Sequence, residues 1–258
     1  HPRLTLRSSR IYEANRVSAD DRTRLDPFYD TWQEFCDTVQ PSVTHVWNTD
    51  ETGVKPQGTK SQRIIAERGQ KTIGVKCSNS KENDTIVATI NAAGVKMPPL
   101  LIFKGQRVQA AWVCNPGPLG SWYTATDSSF MRKFKEFTVE RGLDDGKPHV
   151  LLLDGHASHV IIDVLKYTSD NNIHLIQLPS HSSRVTQPLD ACAFGMFKRQ
   201  ITEALTSFPG KNGMQMPIKC DIASLVRDCW ETAFTPAIIL ASFSGAGIFP
   251  VDKERAID

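Results

Sequence analysis

Apolar residues recur at helical spacing at Phe28, Trp32, Phe35 and Val39, which predicts a helix opening at Asp26-Pro27 and ending at Pro41. The period then shortens. SVTHVWNTD (42–50), DTIVATIN (84–91) and PLLIF (99–103) are β-branched and aromatic runs that read as strands, with Gly94 suited to a hairpin turn between the last two. From residue 127 helix and strand alternate. Phe130, Phe134 and Phe137 share a helical face that stops at Gly142, and PHVLLLD (148–154) is the continuous apolar run of a strand covered on both sides. A helix from Ala157 to about Ser169 would turn Ile161, Val164, Leu165 and Thr168 inward, and HLIQLP (174–179) follows as a strand. A helix opening at Pro188 carries Phe194, Phe197, Ile201 and Leu205 in register. Another from Asp221 presents Ile222, Leu225, Val226, Cys229 and Trp230 before the turn-rich SGAGIFP. The expectation is an α/β fold: a mixed sheet of three antiparallel strands, then parallel strands, flanked by helices.

Composition narrows the class. At 258 residues, 40% hydrophobic and 22% charged, the chain has ample material for a core. No apolar run approaches the roughly 18–20 residues of a membrane span, so no membrane partner is expected. The opening HPRLTLRSSR lacks the apolar centre of a signal peptide. None of the six cysteines (36, 77, 114, 192, 220 and 229) forms a CxxC pair, which favours free thiols in cytoplasm or nucleus. The net charge is only +2, but it is unevenly spread. Over 55–81, Lys55, Lys60, Arg63, Arg68, Lys71, Lys76 and Lys81 stand against Glu67 alone. Such a run is either a solvated face or a groove that follows phosphates, with Lys60, Arg63, Arg68 and Lys71 the candidate contacts.

Three aspartates stand out by position. Asp50 ends the first predicted strand, Asp154 ends the buried one, and Asp190 lies in the first turn of a helix on the continuation of its apolar face. Taken singly, each is more commonly a cap or a turn former. Gathered together they would repel by about 4 kcal/mol per pair at ~4 Å and an effective dielectric near 20, so a proton or a cation must intervene. All-oxygen ligands favour Mg²⁺ or Mn²⁺, and two such ions are the usual apparatus for in-line attack on phosphodiesters. Asp154, His156 and His159 could also suggest an iron triad, but His159 opens a helix and nothing else supports oxygenase chemistry. Glu51 adjoins Asp50 and should point to the opposite face.

NTDETG, LLLDGHASH and LPSHSSRVTQPLDACAFGMFK resemble the three catalytic blocks of the DDE superfamily of transposases, nearest the pogo/jerky/tigger branch allied to mariner elements. NAAGVKMPPLLIFKG (91–105) resembles that branch's hairpin, and AFTPAIILASFSGAGIFPVD (233–252) its C-terminal end. Thirty-six positions separate Asp154 from Asp190, a spacing typical of the branch. The segment 179–186, PSHSSRVT, departs from relatives in a loop.

The resemblance implies a ribonuclease H-like fold, with Asp50, Asp154 and Asp190 as catalytic ligands of two ions, Mg²⁺ or Mn²⁺. It places His156 and His159 behind those ligands or in packing, and His181 and Arg184 as DNA contacts. It divides the chain into an arm and helix (1–40) leading from a DNA-binding region, a catalytic domain (41–210) and a C-terminal helical extension (211–258). The implied activity is hydrolysis of a DNA phosphodiester followed by strand transfer, in the nucleus. Transposon ends and target duplex are the partners, and a homodimer is a candidate assembly. Two alternatives stand: a domesticated nuclear DNA-binding or scaffold protein that has lost transposition, and a host nuclease without strand transfer.

Overall fold

The computed structural model describes residues 22–56, 83–125, 130–154, 162–180 and 182–257. The antiparallel start of the sheet is a long pairing of β1 (Val46–Val54) with β2 (Asp84–Asn91), in register from Trp47↔Asn91 to Val54↔Asp84. The turn out of β2 is held by Asn91, whose Oδ1 accepts from the Ala93 and Val95 amides at 3.1 and 2.8 Å. Gly94 supplies the positive φ (+87°) that this turn needs. β3 (Leu100–Ile102) then pairs antiparallel with β2. β5 (His149–Leu153) lies parallel to β1, and β6 (Ile173–Gln177) parallel to β5. The order across the six-stranded sheet is β4-β3-β2-β1-β5-β6. β4 (Trp122–Thr124), parallel to β3, was not expected: three residues are too few for alternation to show.

Period-two alternation sends the strands' side chains to two cores. Val46, Val54, Val150 and Leu152 face the larger one, with α5 (Phe194–Lys211), α6 (Lys219–Ala233) and α7 (Pro236–Gly245). Trp47, Leu151 and Ile173 face the smaller one with Phe134 and Phe137 of α2 (Phe130–Glu140). The predicted stripes of α5 and α6 are all buried, as the spacing requires. In α3 (Ile162–Asp170), Thr168 is buried as expected and Leu165 is half exposed, against expectation, while Ile161 and the side chain of Val164 lie outside the described residues. α7 escaped prediction because its sequence is apolar all round, a pattern that carries no helical period.

The first helix, α1 (Arg22–Val39), starts at least four residues before the Asp26-Pro27 signal and contains Pro27. Its buried residues are Leu25, Tyr29 and Trp32, a stripe rotated from the predicted one, with Phe28 and Phe35 only partly covered. The physical reason is its partner. Tyr29 Oη donates to the Ala246 carbonyl at 2.7 Å and Trp32 Nε1 to that of Ile248 at 3.0 Å. Arg22 pairs with Glu254 of α8 (Lys253–Ile257) at 2.6 Å. α1 and the C-terminal segment thus complete the larger core.

At the N-terminal ends of β1 and β5, buried His45 and His149 stack with ring centroids 4.5 Å apart. Trp47 Nε1 donates to His149 Nδ1 at 3.2 Å, leaving Nε2 to donate to the Leu143 carbonyl, also at 3.2 Å. Burial, then the neighbouring His45, pushes His149 down to about 4.

Candidate active site

The site lies where β5 stops. β1 pairs with β5 only as far as Asn48↔Leu152, while its other edge stays paired with β2 to Val54. Asp50 therefore sits in mid-strand, not at the strand's end as the sequence suggested. Continuing the parallel register two residues past Asn48↔Leu152 sets Asp50 level with Asp154, on strands about 4.8 Å apart. Both share the alternation of Val46 and Leu152, so both project onto the face covered by α5. Glu51, one residue on, is exposed, in line with the expected alternation.

Asp190 descends onto the same face from above. The helix expected from Pro188 opens on a π-type turn over Leu189–Ala193 that carries Asp190 and runs on into α5, and a short α4 (Ser183–Thr186) precedes it. Such turns often mark functional sites. Three contacts fix this one. Asn48, fully buried, donates through Nδ2 to the Leu152 carbonyl at 3.1 Å and accepts from the Leu189 amide at 3.0 Å. Gln187 Nε2 donates to the Thr49 carbonyl at 3.4 Å. From behind, Ser242 Oγ of α7 accepts from the Ala193 amide at 3.2 Å. Asn48 and Gln187 were not anticipated; a polar residue two before Asp50 inside an apolar strand was the available signal for Asn48.

Electrostatics join the three carboxylates. Asp50 is pushed up to about 7, first by burial, then by the Asp190 carboxylate, with a smaller push from Asp154. Hydrogen bonds from the Glu51 amide and the Gln187 side chain act the other way. Asp154 Oδ2 accepts from Ser183 Oγ at 2.8 Å, while its Oδ1 is buried with no hydrogen-bond partner. Gln187 Oε1 is likewise buried and unpaired. Among the described residues no three His, Cys, Asp or Glu side chains close into a ligand cage. Even so, an all-oxygen set with an unpaired buried carboxylate oxygen and a proton held by burial and then by the neighbouring carboxylate fits a hard divalent cation.

Of the other predicted residues, Arg184 is exposed on α4, one residue from Ser183. His156, His159, His181, Lys60, Arg63, Arg68 and Lys71 lie outside the described residues. So does Cys77; the other five cysteines are free thiols.

Comparison with known proteins bears on the family and the fold. Residues 81–243 match the family model described as DDE superfamily endonuclease. A Cochliobolus lunatus protein named MFS-type transporter clz9 is 26% identical over 220 residues, covering 81% of this chain and 24% of that protein. The chain thus spans about a quarter of that relative, and no helix among the described residues is long and apolar enough to cross a membrane. Among solved structures, the Mos1 transposase paired-end complex with left transposon end aligns over 98% of this chain and 66% of that one, at 12% identity and a TM-score of 0.61. The Mos1 mariner paired end complex with Mn aligns over 97% and 67%, at 12% identity and a TM-score of 0.59. The catalytic domain of Mos1 mariner transposase aligns over 92% and 91%, at 11% identity and a TM-score of 0.51. These likenesses carry the ribonuclease H-like fold, and the family match spans well over half the sequence: the chain belongs to the DDE superfamily endonucleases.

Proposed function

We propose that this chain is the catalytic domain of a DDE transposase of the pogo/jerky/tigger branch, cutting DNA phosphodiesters and joining the freed 3′ hydroxyl to a target duplex. The observation that carries the reading is the register that sets Asp50 beside Asp154, with Asp190 brought onto the same face. The similar Mos1 transposase structures are paired-end complexes with Mn, with Mg and with the left transposon end, which supports the same chemistry and partners here. Asp50, Asp154 and Asp190 would hold two divalent ions, Mg²⁺ or Mn²⁺, which when bound activate the attacking oxygen and stabilise the leaving one.

The chain's own residues supply position. Ser183 holds one oxygen of Asp154 and leaves the other buried and unpaired. Asn48 fixes the height of the Asp190 turn over β1, and Gln187 steadies Asp50 from the same segment. Arg184, exposed on α4, would meet a phosphate. The basic run is assigned to backbone tracking. Reversing Lys60, Arg63, Arg68 and Lys71 should flatten the salt dependence of duplex binding, about 0.9 in log–log slope per lost contact. Partners are transposon ends and target DNA, with a second copy of the chain as assembly and the nucleus as compartment.

The test is incubation of the purified protein with labelled duplex in Mg²⁺ or Mn²⁺. A cut strand ending in a 3′ hydroxyl, then a joined product, is expected. Cutting without joining would favour a host nuclease, and binding without cutting a domesticated scaffold.

A further inference from the structure

A second polar concavity opens on the same face of the sheet. Past the end of β3 the chain folds over the start of α6 and a 3₁₀ turn (Ala110–Trp112), leaving a cleft of about 480 Å³. Lys104, Gln106, Arg107, Gln109, Trp112 and Lys219 line it, and among the described residues no acidic side chain does. Its floor is built rather than incidental. Gly105 lies so near the indole that a Cβ there would come within 2.8 Å of Trp112 Cη2. Lys219 Nζ sits 4.0 Å over the Trp112 ring, donates to the Lys104 carbonyl and lies 3.8 Å from buried Asp84. Asp84 Oδ1 also accepts from the Lys104 amide at 3.3 Å. The buried acid is thus answered from below, and its role is to hold the loop. The exposed Lys104 and Arg107 side chains face solvent from a fixed frame.

Position gives the cleft its meaning. Ile102 is level with Thr85, and Thr85 with Gly53, so Lys104 lies about five residues along the strand direction from Asp50 and two strands across. That is roughly 17 Å by roughly 10 Å, a separation of about 20 Å. At about 3.4 Å per nucleotide, this is the length of some six base pairs. Two exposed cations, Lys104 and Arg107, and two amide side chains in a fixed cleft suit phosphate oxygens, which position a duplex without reading its sequence.

We propose that this cleft grips the sugar–phosphate backbone of duplex DNA about six base pairs from the phosphate that is cut. The inference rests on the DNA-cutting reading of the aspartates, and its test is separable from that reading. In metal-free buffer, duplex affinity is measured against salt for the wild type and for the Lys104→Gln/Arg107→Gln variant, whose changes are both at exposed positions. Thermal unfolding serves as the folding control. The variant should bind more weakly, with a log–log slope shallower by about 1.8, so that its loss of affinity between about 50 and about 200 mM salt is roughly tenfold smaller. Asp154→Asn should leave that slope unchanged while abolishing cutting. A slope unchanged in the cleft variant, or a wild type that does not bind duplex at all, overturns the cleft proposal. A wild type that binds with the cleft-dependent slope but never cuts overturns only the catalytic reading.

Discussion

Asp50 is a half-buried acid whose charge is opposed by its neighbours, and that makes its proton the variable to watch. Its folded value of about 7 lies above the ordinary 3.8, because burial and then Asp190 disfavour the carboxylate. A raised carboxyl contributes stability that is fully present below pH 3.8 and lost as the pH rises through about 7. The metal-free protein should therefore soften across that window, and Asp50→Asn should flatten the trend in thermal unfolding. A cation must displace the same proton. Mn²⁺ affinity, followed by calorimetry, should fall about tenfold per pH unit below about 7. Asp190→Asn removes the larger charge repulsion, so it should lower the midpoint of this pH dependence even as it weakens the plateau affinity. A pH-independent affinity would mean that Asp50 is not a ligand.

Elements set these residues in place, and here Asn48 matters most. It bridges β5 and the Asp190 turn from inside the core, so Asn48→Ala leaves the Leu189 amide and the Leu152 carbonyl without that partner. A cost of about 1–3 kcal/mol is expected. Mn²⁺ affinity should fall as well, because the turn loses its height over β1; an unaltered affinity would confine Asn48 to packing. The far ends of the same strands give a pH signature of opposite sign. His149 is held neutral, with its folded value of about 4 below the ordinary 6.5, so its stability is full above 6.5 and is lost as pH falls through about 4. The loss amounts to about 3 kcal/mol at about 1.4 kcal/mol per unit. His149→Gln, able to accept from Trp47 and donate to Leu143, should remove this acid sensitivity in denaturant titrations. Sequence pattern revealed β1, β2, β3, β5, β6 and the stripes of α5 and α6, because burial on one or both faces leaves a period. It did not reveal β4, which is too short, or α7, whose apolar surface has no period. It missed the π-type turn because insertion of one residue into a helix changes hydrogen bonding and leaves composition untouched. The aspartates were legible as strand-end and helix-start residues, whereas Asn48, Ser183 and Gln187 gain their meaning only from register.

On the scale of the described molecule, one core joins α1 and the C-terminal helices to the sheet. Leu25, Tyr29 and Trp32 pack with Ile239, Phe243 and Ile248, and α7 in turn supports the turn that carries Asp190. A chain beginning at residue 41 should expose that surface and lose cooperative unfolding, as calorimetry would show; a two-state transition of undiminished midpoint would instead make α1 a separable arm. The apolar stripe predicted for α1 is rotated for the same reason, since its burial is dictated by a partner more than 200 residues away. What the fold achieves is to bring three acids from β1, β5 and the head of α5 to one place, and the account stands on their acting as a unit. The most direct test is single-turnover cutting of a labelled duplex in Mn²⁺ by the wild type, by Asp50→Asn, Asp154→Asn and Asp190→Asn, and by the triple variant. The account predicts that each single change removes nearly as much activity as all three together, with no variant less stable than the wild type in the absence of metal. Normal cutting by Asp154→Asn, or losses that simply add, would contradict it.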